Sequence, residues 1–180
     1  MAEKVIFILG GARSGKSLYA QQRAQKMGSH VLYIATARVQ DDEMERRVAA
    51  HRAARPSGWQ TLEASDHLYT SLQNLPTYYD AILLDCVTLL LGWSFATLSE
   101  DSGEEALTRS AEAVLDDLVK GIHTRPEPWI LVSNEVGLGI VPDTLMGRVF
   151  RDVQGRANQK LAALADEVYF MAAGIPMKIK

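Results

Sequence analysis

The chain has 180 residues, and 19 Lys and Arg against 22 Asp and Glu give it a formal net charge of -3. This balance excludes a general affinity for nucleic acid or for an anionic membrane, so a phosphate ligand requires a local site. The single cysteine excludes an internal disulfide and a cluster of metal-binding thiolates, which is typical of a cytoplasmic protein. The apolar run before the first pair of glycines is too short for a signal peptide or a membrane-spanning helix.

Five short apolar runs predict buried strands, at residues 5–9, 31–35, 81–84, 129–132 and 168–171. The stretches between these runs are longer and have helical periodicity. Strands that alternate with helices are typical of parallel βαβ units, with helices on both faces of the sheet. The sequence therefore predicts an α/β fold. Because no linker, repeat or low-complexity tract divides the chain, we expect a single domain over residues 1–180.

Two long amphipathic helices are predicted in the second half of the chain. The first begins at Ser102, because Ser102 and Glu105 have the spacing of a capping box. The second follows Pro142. Their apolar stripes are Leu107, Ala111, Val114, Leu115, Leu118 and Ile122 in the first helix, and Met146, Val149, Phe150, Val153, Ala157, Leu161 and Leu164 in the second. Both stripes indicate packing rather than chemistry.

The most specific motif follows the first predicted strand. It matches the phosphate-binding pattern G-x-x-x-x-G-K-[ST], and its residues are Gly10, Gly11, Ala12, Arg13, Ser14, Gly15, Lys16 and Ser17. Gly10 and Gly15 permit backbone angles at which successive amide groups converge on phosphate oxygens. The helix that follows points its positive end at the same place. These residues are therefore predicted to bind a nucleotide.

Lys16 and Ser17 have separate predicted roles within this motif. Lys16 adds a positive charge and is a predicted catalytic residue, whereas the hydroxyl of Ser17 is placed to bind Mg²⁺. The alternative is a glycine-rich turn without a ligand. A predicted strand before the motif and a predicted helix over residues 18–27 favour the nucleoside triphosphate site.

Asp85 follows the apolar run 81–84 and is the second candidate for Mg²⁺ binding. A carboxylate at the end of a neighbouring strand commonly supports a metal ion held by nucleotide phosphates. The alternative is that Asp85 caps a helix that begins near Val87. The presence of Lys16 and Ser17 favours the metal-binding role.

The segment 41–56 is predicted to form a helix, because acidic residues open it and Pro56 ends it. Arg47, His51 and Arg55 are spaced by four residues and therefore share one helix face. Two neighbouring cations disfavour the imidazolium ion, so they should lower the pKa of His51 and keep it available as a nucleophile. The alternative is a solvated helix face with an incidental histidine.

These motifs together resemble the bifunctional adenosylcobinamide kinase/adenosylcobinamide-phosphate guanylyltransferase family. The resemblance extends over nearly the whole chain, and only the phosphate-binding motif is shared with unrelated nucleotide-binding proteins. The matching stretches are residues 10–17, 33–36, 41–44, 51–56 with Trp59, 134–137, 151–159 and 165–168.

The resemblance implies two reactions in the assembly of the cobalamin nucleotide loop. A nucleoside triphosphate, ATP or GTP, phosphorylates adenosylcobinamide, and GTP then donates GMP to adenosylcobinamide phosphate. In the family the guanylyl group passes through a covalent histidine, which maps to His51. Some relatives have two adjacent histidines where this chain has Ala50 and His51. The implied GTP contacts are residues 10–17, Ala35, Thr36, Arg52, Ala53, Ala54, Arg55, Glu63 and Asp85.

The resemblance also implies a RecA-like, mainly parallel sheet and a homotrimer with active sites near the subunit contacts. Asn134 and Glu135 follow a predicted strand, so they should lie at the carboxyl edge of the sheet near the ligand. There Glu135 could orient a hydroxyl group or a metal-bound water, or it could be a solvated loop residue. Two other functions remain open: a single-activity P-loop metabolite kinase and a nucleotide-dependent switch.

Overall fold

A computed structural model describes residues 2–38, 46, 49, 52, 55–64, 67–76, 78–99 and 102–180 of the chain. The described residues form one sheet of seven strands in the order β3-β2-β4-β5-β1-β6-β7. In chain order the strands are β1 (Val5–Gly10), β2 (Val31–Ala35), β3 (Gln60–Glu63), β4 (Ala81–Asp85), β5 (Trp129–Val132), β6 (Glu167–Ala172) and β7 (Ile175–Lys178). All neighbouring strands are parallel except β6 and β7, which pair antiparallel.

The strand register brings several carboxyl ends to one edge of the sheet. Ala35 at the end of β2 pairs with Asp85 at the end of β4, and Asp85 pairs with Val132 at the end of β5. Strand β5 separates β4 from β1, the strand that leads into the phosphate-binding motif. This arrangement confirms the predicted α/β fold with a mainly parallel sheet.

Helices cover both faces of the sheet. Consecutive strand residues point to opposite faces, so the strands present apolar side chains on both faces for helices to bury. The described helices are α1 (Lys16–Gln25), α2 (Leu68–Gln73), α3 (Val87–Ala96), α4 (Glu104–Thr124) and α5 (Leu145–Leu164). Phe7 and Ile82 share a core with α2 to α5, whereas Ile6 and Leu83 share the other core with α1. In the described part of the chain, no helix combines the length and the apolar character needed to cross a membrane.

The predicted start of α4 is wrong by two residues. The helix begins at Glu104, its N-cap is Gly103, and no side chain caps it. The hydroxyl of Ser102 instead contacts the hydroxyl of Ser99 at 3.2 Å, so the predicted capping box does not form. The second long helix begins at Leu145, where the Thr144 side chain accepts a hydrogen bond from the amide of Gly147.

Two strands are absent from the sequence prediction. The residues of β3 are mostly exposed and those of β7 are all exposed, and both strands lie at the edges of the sheet. Edge strands with little buried surface lack the apolar run by which the five inner strands were found. Their position therefore depends on pairing with β2 and β6 rather than on hydrophobic pattern.

Candidate nucleotide-binding site

The phosphate-binding motif forms a turn between β1 and α1. Gly10 has a φ of +153° and Gly15 a φ of +91°, while Arg13 adopts a φ of +56° without being glycine. A Cβ atom on Gly10 would lie 2.6 Å from the carbonyl oxygen of Met171, so a side chain is excluded there by contact as well. The predicted need for glycine at positions 10 and 15 is confirmed.

The amino end of α1 opens toward this turn. Gly15 is the N-cap, and within the described part of the chain no side chain accepts from the first amide groups of the helix. The first amides of any α-helix have no partner within the helix, and they carry the positive end of its dipole. An uncapped helix start next to a glycine turn is therefore suited to bind phosphate.

Lys16 is 7% exposed, and its ammonium group lies over the turn. Its Nζ donates to the carbonyl oxygen of Gly11 at 2.6 Å and lies 3.5 Å from the hydroxyl oxygen of Ser14. Burial lowers the pKa of Lys16, whereas the acidic groups of Cys86 and Asp85 raise it in part. A buried ammonium group without a carboxylate in direct contact is suited to an anionic ligand.

Asp85 is half-buried at the carboxyl end of β4. Its Oδ2 accepts a hydrogen bond from the hydroxyl of Tyr33 at 3.0 Å. The helix after it, α3, has Cys86 as its N-cap and no side-chain cap, so the alternative role of Asp85 as a helix cap is wrong. Burial raises the pKa of the Cys86 thiol to about 11, so this buried cysteine is expected to be unreactive.

Ser17 and Asp85 have the donor chemistry that Mg²⁺ prefers. Both line one cavity of about 650 Å³, together with Lys16. Mg²⁺ is commonly held by one or two oxygen side chains, with nucleotide phosphates and water completing the shell. No cluster of three or more His, Cys, Asp or Glu side chains occurs among the described residues. The pair therefore fits a metal ion that enters with a nucleotide.

The polar groups of Thr36 are engaged within the protein. Its hydroxyl donates to the carbonyl oxygen of Cys86 at 2.9 Å and accepts from the amide of Cys86 at 2.6 Å. Its carbonyl oxygen accepts from the indole of Trp93 at 2.8 Å, and its amide donates to the carbonyl oxygen of Asp85 at 3.2 Å. Thr36 thus joins the ends of β2 and β4, and Ala35, which precedes it, is the last residue of β2.

Arg52, Arg55 and Glu63 are brought together at the far edge of the sheet. Arg52 and Glu63 form an exposed ion pair with a distance of 3.0 Å. The guanidinium of Arg55 lies 3.5 Å from the ring centroid of Tyr33 and donates to the hydroxyl of Thr61 at 3.2 Å. Tyr33 therefore lies between this group and Asp85.

The predicted nucleophile His51 lies outside the described residues, as do Arg47, Ala53 and Ala54. Arg46, Ala49 and Arg52 are helical and exposed. The shared helix face and the lowered pKa of His51 remain predictions.

Asn134 and Glu135 follow β5 and approach the motif, as their position in the sequence predicts. Asn134 lines the same cavity as Lys16, and the amide of Glu135 donates to the carbonyl oxygen of Gly10 at 3.0 Å. The carboxylate of Glu135 accepts from the amide of Gly137 at 3.0 Å. Through these two hydrogen bonds the half-buried Glu135 stabilises the turn that contains it and holds that turn beside the phosphate-binding motif.

A buried polar network behind this turn was missed by sequence reasoning. Gln154 donates to Ser133 and to Asn158, both at 2.9 Å, and Asn158 donates to the carbonyl oxygen of Asn134 at 3.1 Å. The amide of Asn134 donates to the hydroxyl of Thr88 at 2.8 Å. Polar residues on the buried stripe of α5 were the available signal, since buried polar groups require partners.

The glycine turn, the uncapped helix, Lys16 and Asp85 meet at the carboxyl edge of a parallel sheet, where α/β proteins bind ligands. The fold and the site define a P-loop nucleotide-binding protein.

The family described as cobinamide kinase/cobinamide phosphate guanyltransferase matches this chain over residues 6–179. The bifunctional adenosylcobalamin biosynthesis protein CobU of Salmonella typhimurium is 42% identical over 181 residues, covering 98% of this chain and 99% of that protein. The protein CobP of Pseudomonas aeruginosa, with the same description, is 42% identical over 173 residues, covering 96% and 95%. The chain belongs to this family and is an enzyme with both kinase and guanylyltransferase activity.

A solved structure of the RadB recombinase matches 93% of this chain and 73% of its own, with a TM-score of 0.48 and 16% identity.

Proposed function

We propose that residues 1–180 form a single nucleotide-binding domain that carries out both reactions with one phosphate cradle. It phosphorylates adenosylcobinamide with ATP or GTP, and it transfers GMP from GTP to adenosylcobinamide phosphate through His51. The observation that carries this proposal is the cavity in which residues 12–17 of the motif meet Asp85 and Asn134. Similarity to bifunctional relatives over nearly the whole chain supports it.

In the kinase reaction, the residues of the P-loop hold the triphosphate. The amides of residues 10–17 and the ammonium of Lys16 face the phosphate oxygens, so they stabilise the charge that develops as the γ-phosphoryl group leaves. The acceptor is the hydroxyl group of the cobinamide side chain. Its oxygen bonds to the γ-phosphorus while the bond to the β-phosphate oxygen breaks, and its proton is released.

In the guanylyl transfer, the same cradle holds the leaving pyrophosphate. A neutral ring nitrogen of His51 bonds to the α-phosphorus of GTP, and the bond to the β-phosphate oxygen breaks. A phosphate oxygen of adenosylcobinamide phosphate then displaces the histidine and forms the diphosphate linkage. Covalent transfer divides one difficult step between two anions into two easier ones.

The GTP-binding part of this proposal comprises Ala35, Thr36, Arg52, Ala53, Ala54, Arg55 and Glu63. The described cations at this edge, Arg52 and Arg55, are suited to neutralise phosphate charge because guanidinium groups bind phosphate oxygens in pairs. The ion pair of Arg52 with Glu63 is exposed to solvent, so a bound nucleotide can contact these side chains, which supports their role in GTP binding.

The proposal also includes Mg²⁺, which Ser17, Asp85 and the nucleotide phosphates would hold. When bound, it neutralises charge on the triphosphate during transfer. Lys16 and the P-loop amides orient the phosphate groups that share this ion.

We also propose that the enzyme acts as a homotrimer in the cytoplasm. Exposed apolar side chains beside the Glu135 turn support a subunit contact there, because monomers rarely expose such groups together. They are Leu138, Ile140, Val141 and Leu145. Sedimentation equilibrium gives the mass in solution, and a monomer at micromolar concentration contradicts this part.

Labelling with GTP tests the covalent step. The protein is incubated with GTP labelled at the α-phosphate, denatured and digested. We expect an acid-labile, alkali-stable label on the peptide that contains His51, because phosphorus bound to nitrogen has this stability. Absence of the label contradicts the covalent step through His51.

The substitution His51→Ala separates the two half-reactions. We expect it to abolish guanylyl transfer and leave phosphorylation of adenosylcobinamide measurable, because the histidine acts in only one of them. His67→Ala is the matched control and should retain both activities. Equal loss of both activities in a folded His51→Ala variant contradicts this division.

A further inference from the structure

Tyr33 connects two groups that the proposed function uses in different steps. It lies in the buried strand β2 and is 2% exposed. Its hydroxyl donates to Oδ2 of Asp85 at 3.0 Å, and its ring lies under the guanidinium of Arg55 at 3.5 Å. One side chain therefore contacts the candidate metal-binding carboxylate and the segment that follows His51.

The hydroxyl fixes the orientation of the carboxylate. Asp85 ends β4 next to β2, and a carboxylate at a strand end can rotate unless a partner holds it. With Oδ2 occupied by Tyr33, Oδ1 is the oxygen left to bind a ligand. The strand pairing of Tyr33 with Leu83, two residues before Asp85, holds the phenol in place for this contact.

The ring provides a flat surface for Arg55. Nη1 of Arg55 donates to Thr61, whereas its buried Nε has no hydrogen-bond partner among the described residues. Trp59 lies beside the ring, with a centroid distance of 6.3 Å. A guanidinium stacked on an aromatic face keeps its edge available for hydrogen bonds to another group, such as a phosphate.

We propose that Tyr33 is a positioning residue for both half-reactions and acts through different atoms in each. Its hydroxyl orients Asp85 for binding of the metal–nucleotide complex, and its ring positions Arg55 for guanylylation of His51. This inference rests on the proposed function. It adds a residue whose two contacts can be removed separately.

Tyr33→Phe removes the hydroxyl and retains the ring. Binding of a fluorescent, non-hydrolysable GTP analogue is measured while Mg²⁺ is titrated. We expect the Mg²⁺ concentration at half-saturation to rise about tenfold, because loss of a group that orients a metal ligand costs about 10- to 100-fold in metal affinity. Affinity for the analogue without metal should change less than about twofold.

Tyr169→Phe is the matched control. The hydroxyl of Tyr169 donates to Glu167 at 2.7 Å, so this variant loses the same kind of hydrogen bond between two residues that do not line the cavity. Its Mg²⁺ titration should match that of the wild type. An unchanged half-saturation in Tyr33→Phe, or an equal shift in Tyr169→Phe, overturns the role of the hydroxyl.

Tyr33→Leu also removes the ring. We expect the rate of His51 labelling from GTP at saturating Mg²⁺ to fall about tenfold below that of Tyr33→Phe, because the ring no longer holds the guanidinium of Arg55 in place. Arg55→Leu removes the cation and leaves the contact between Tyr33 and Asp85. Its effect and that of Tyr33→Leu should be non-additive in the double variant.

Equal labelling rates in Tyr33→Phe and Tyr33→Leu overturn the role of the ring, as do additive effects of Tyr33→Leu and Arg55→Leu. If Tyr33→Leu does not fold, the Arg55→Leu comparison is made in Tyr33→Phe, where the retained ring predicts an undiminished effect. Absence of labelling in the wild-type protein rejects the proposed function instead, and the Mg²⁺ titration still tests the contact with Asp85.

Discussion

Two buried cations lie at opposite ends of the sheet and have very different surroundings. Lys16 is 7% exposed at the carboxyl edge, and Arg125 is 5% exposed just before β5 begins. Arg125 donates to both oxygens of Glu127 and to the carbonyl oxygens of Leu72, Leu75 and Pro76. Among the described residues Lys16 has no ion pair, and its hydrogen bonds are to Gly11 and Ser14.

The difference separates a cation that supports the fold from one that is available to a ligand. Arg125 has partners for its charge and its hydrogen-bond donors, so folding compensates for much of its burial. Burial lowers the pKa of Lys16 because its surroundings stabilise the charged form less well than water does. A bound polyphosphate would supply the negative charge that the described residues do not provide in direct contact with Lys16.

The largest effect is expected when Lys16 is removed. Lys16→Ala should lower both the kinase and the guanylyl transfer rates by about 10³-fold, because both reactions use the same stabilised phosphate oxygens. Its thermal midpoint should equal or exceed that of the wild type, since no ion pair is broken. Steady-state assays and thermal unfolding measure these quantities.

Lys26→Ala is the matched control for this variant, because Lys26 is exposed just after the end of the same helix. It should behave like the wild type in both assays. Full activity of Lys16→Ala in either reaction contradicts the shared cradle.

Removal of Arg125 should affect stability rather than chemistry. Arg125→Leu leaves the carboxylate of Glu127 buried without its partner, so we expect the free energy of unfolding to fall by about 3 kcal/mol or more. Denaturant unfolding measures this change, and activity per folded molecule should be unaffected.

The double variant Arg125→Leu/Glu127→Leu should recover much of that stability, because neither charge is then buried. If Arg125→Leu is as stable as the wild type, the ion pair of Arg125 with Glu127 does not compensate for the free energy that burial of the two charges costs. A double variant that recovers none of the stability lost in Arg125→Leu shows that the contacts of Arg125 with the carbonyl oxygens dominate.

A smaller effect is expected at Glu167, a carboxylate of intermediate burial. Lys4, with Tyr169 and Arg23, holds the pKa of Glu167 down to about 2, below its ordinary value of 4.5. Because the folded-state pKa is the lower one, the stabilisation is complete above pH 4.5 and is lost as the pH falls toward 2. Glu167→Gln should therefore lower stability at neutral pH by about 1 to 2 kcal/mol.

The difference in unfolding free energy between wild type and Glu167→Gln should shrink as the pH falls from 4.5 toward 2. Glu105→Gln, which breaks an exposed ion pair with Arg109, is the control and should change stability by less than about 0.5 kcal/mol. A difference between wild type and Glu167→Gln that does not depend on pH contradicts the lowered pKa.

Local pattern was sufficient to predict the inner strands and the P-loop. The five predicted runs correspond to β1, β2, β4, β5 and β6, and the glycine angles at Gly10 and Gly15 follow from the motif. Local pattern was insufficient for β3 and β7, and it misplaced the start of α4. Exposed edge strands and helix caps depend on neighbouring backbone more than on the hydrophobicity of their own residues.

The contacts between the residues of the site were harder to predict than the residues themselves. Lys16, Ser17 and Asp85 were identified from sequence, but the partner of Asp85 is 52 residues away in the chain. A tyrosine in an otherwise aliphatic strand was the available signal, because a buried phenol usually requires an acceptor. Which acceptor it finds depends on the pairing of β2 with β4.

The sequence by itself determined the fold class, the phosphate-binding turn and the family, because these depend on residues that are close together in the chain or on motifs in a fixed order. Only the tertiary structure decided that Lys16 lacks the partners that Arg125 has, and that Tyr33 contacts both Asp85 and Arg55. The physical reason is that partners of buried polar groups come from strands and helices that are distant in sequence, and sheet register brings them together.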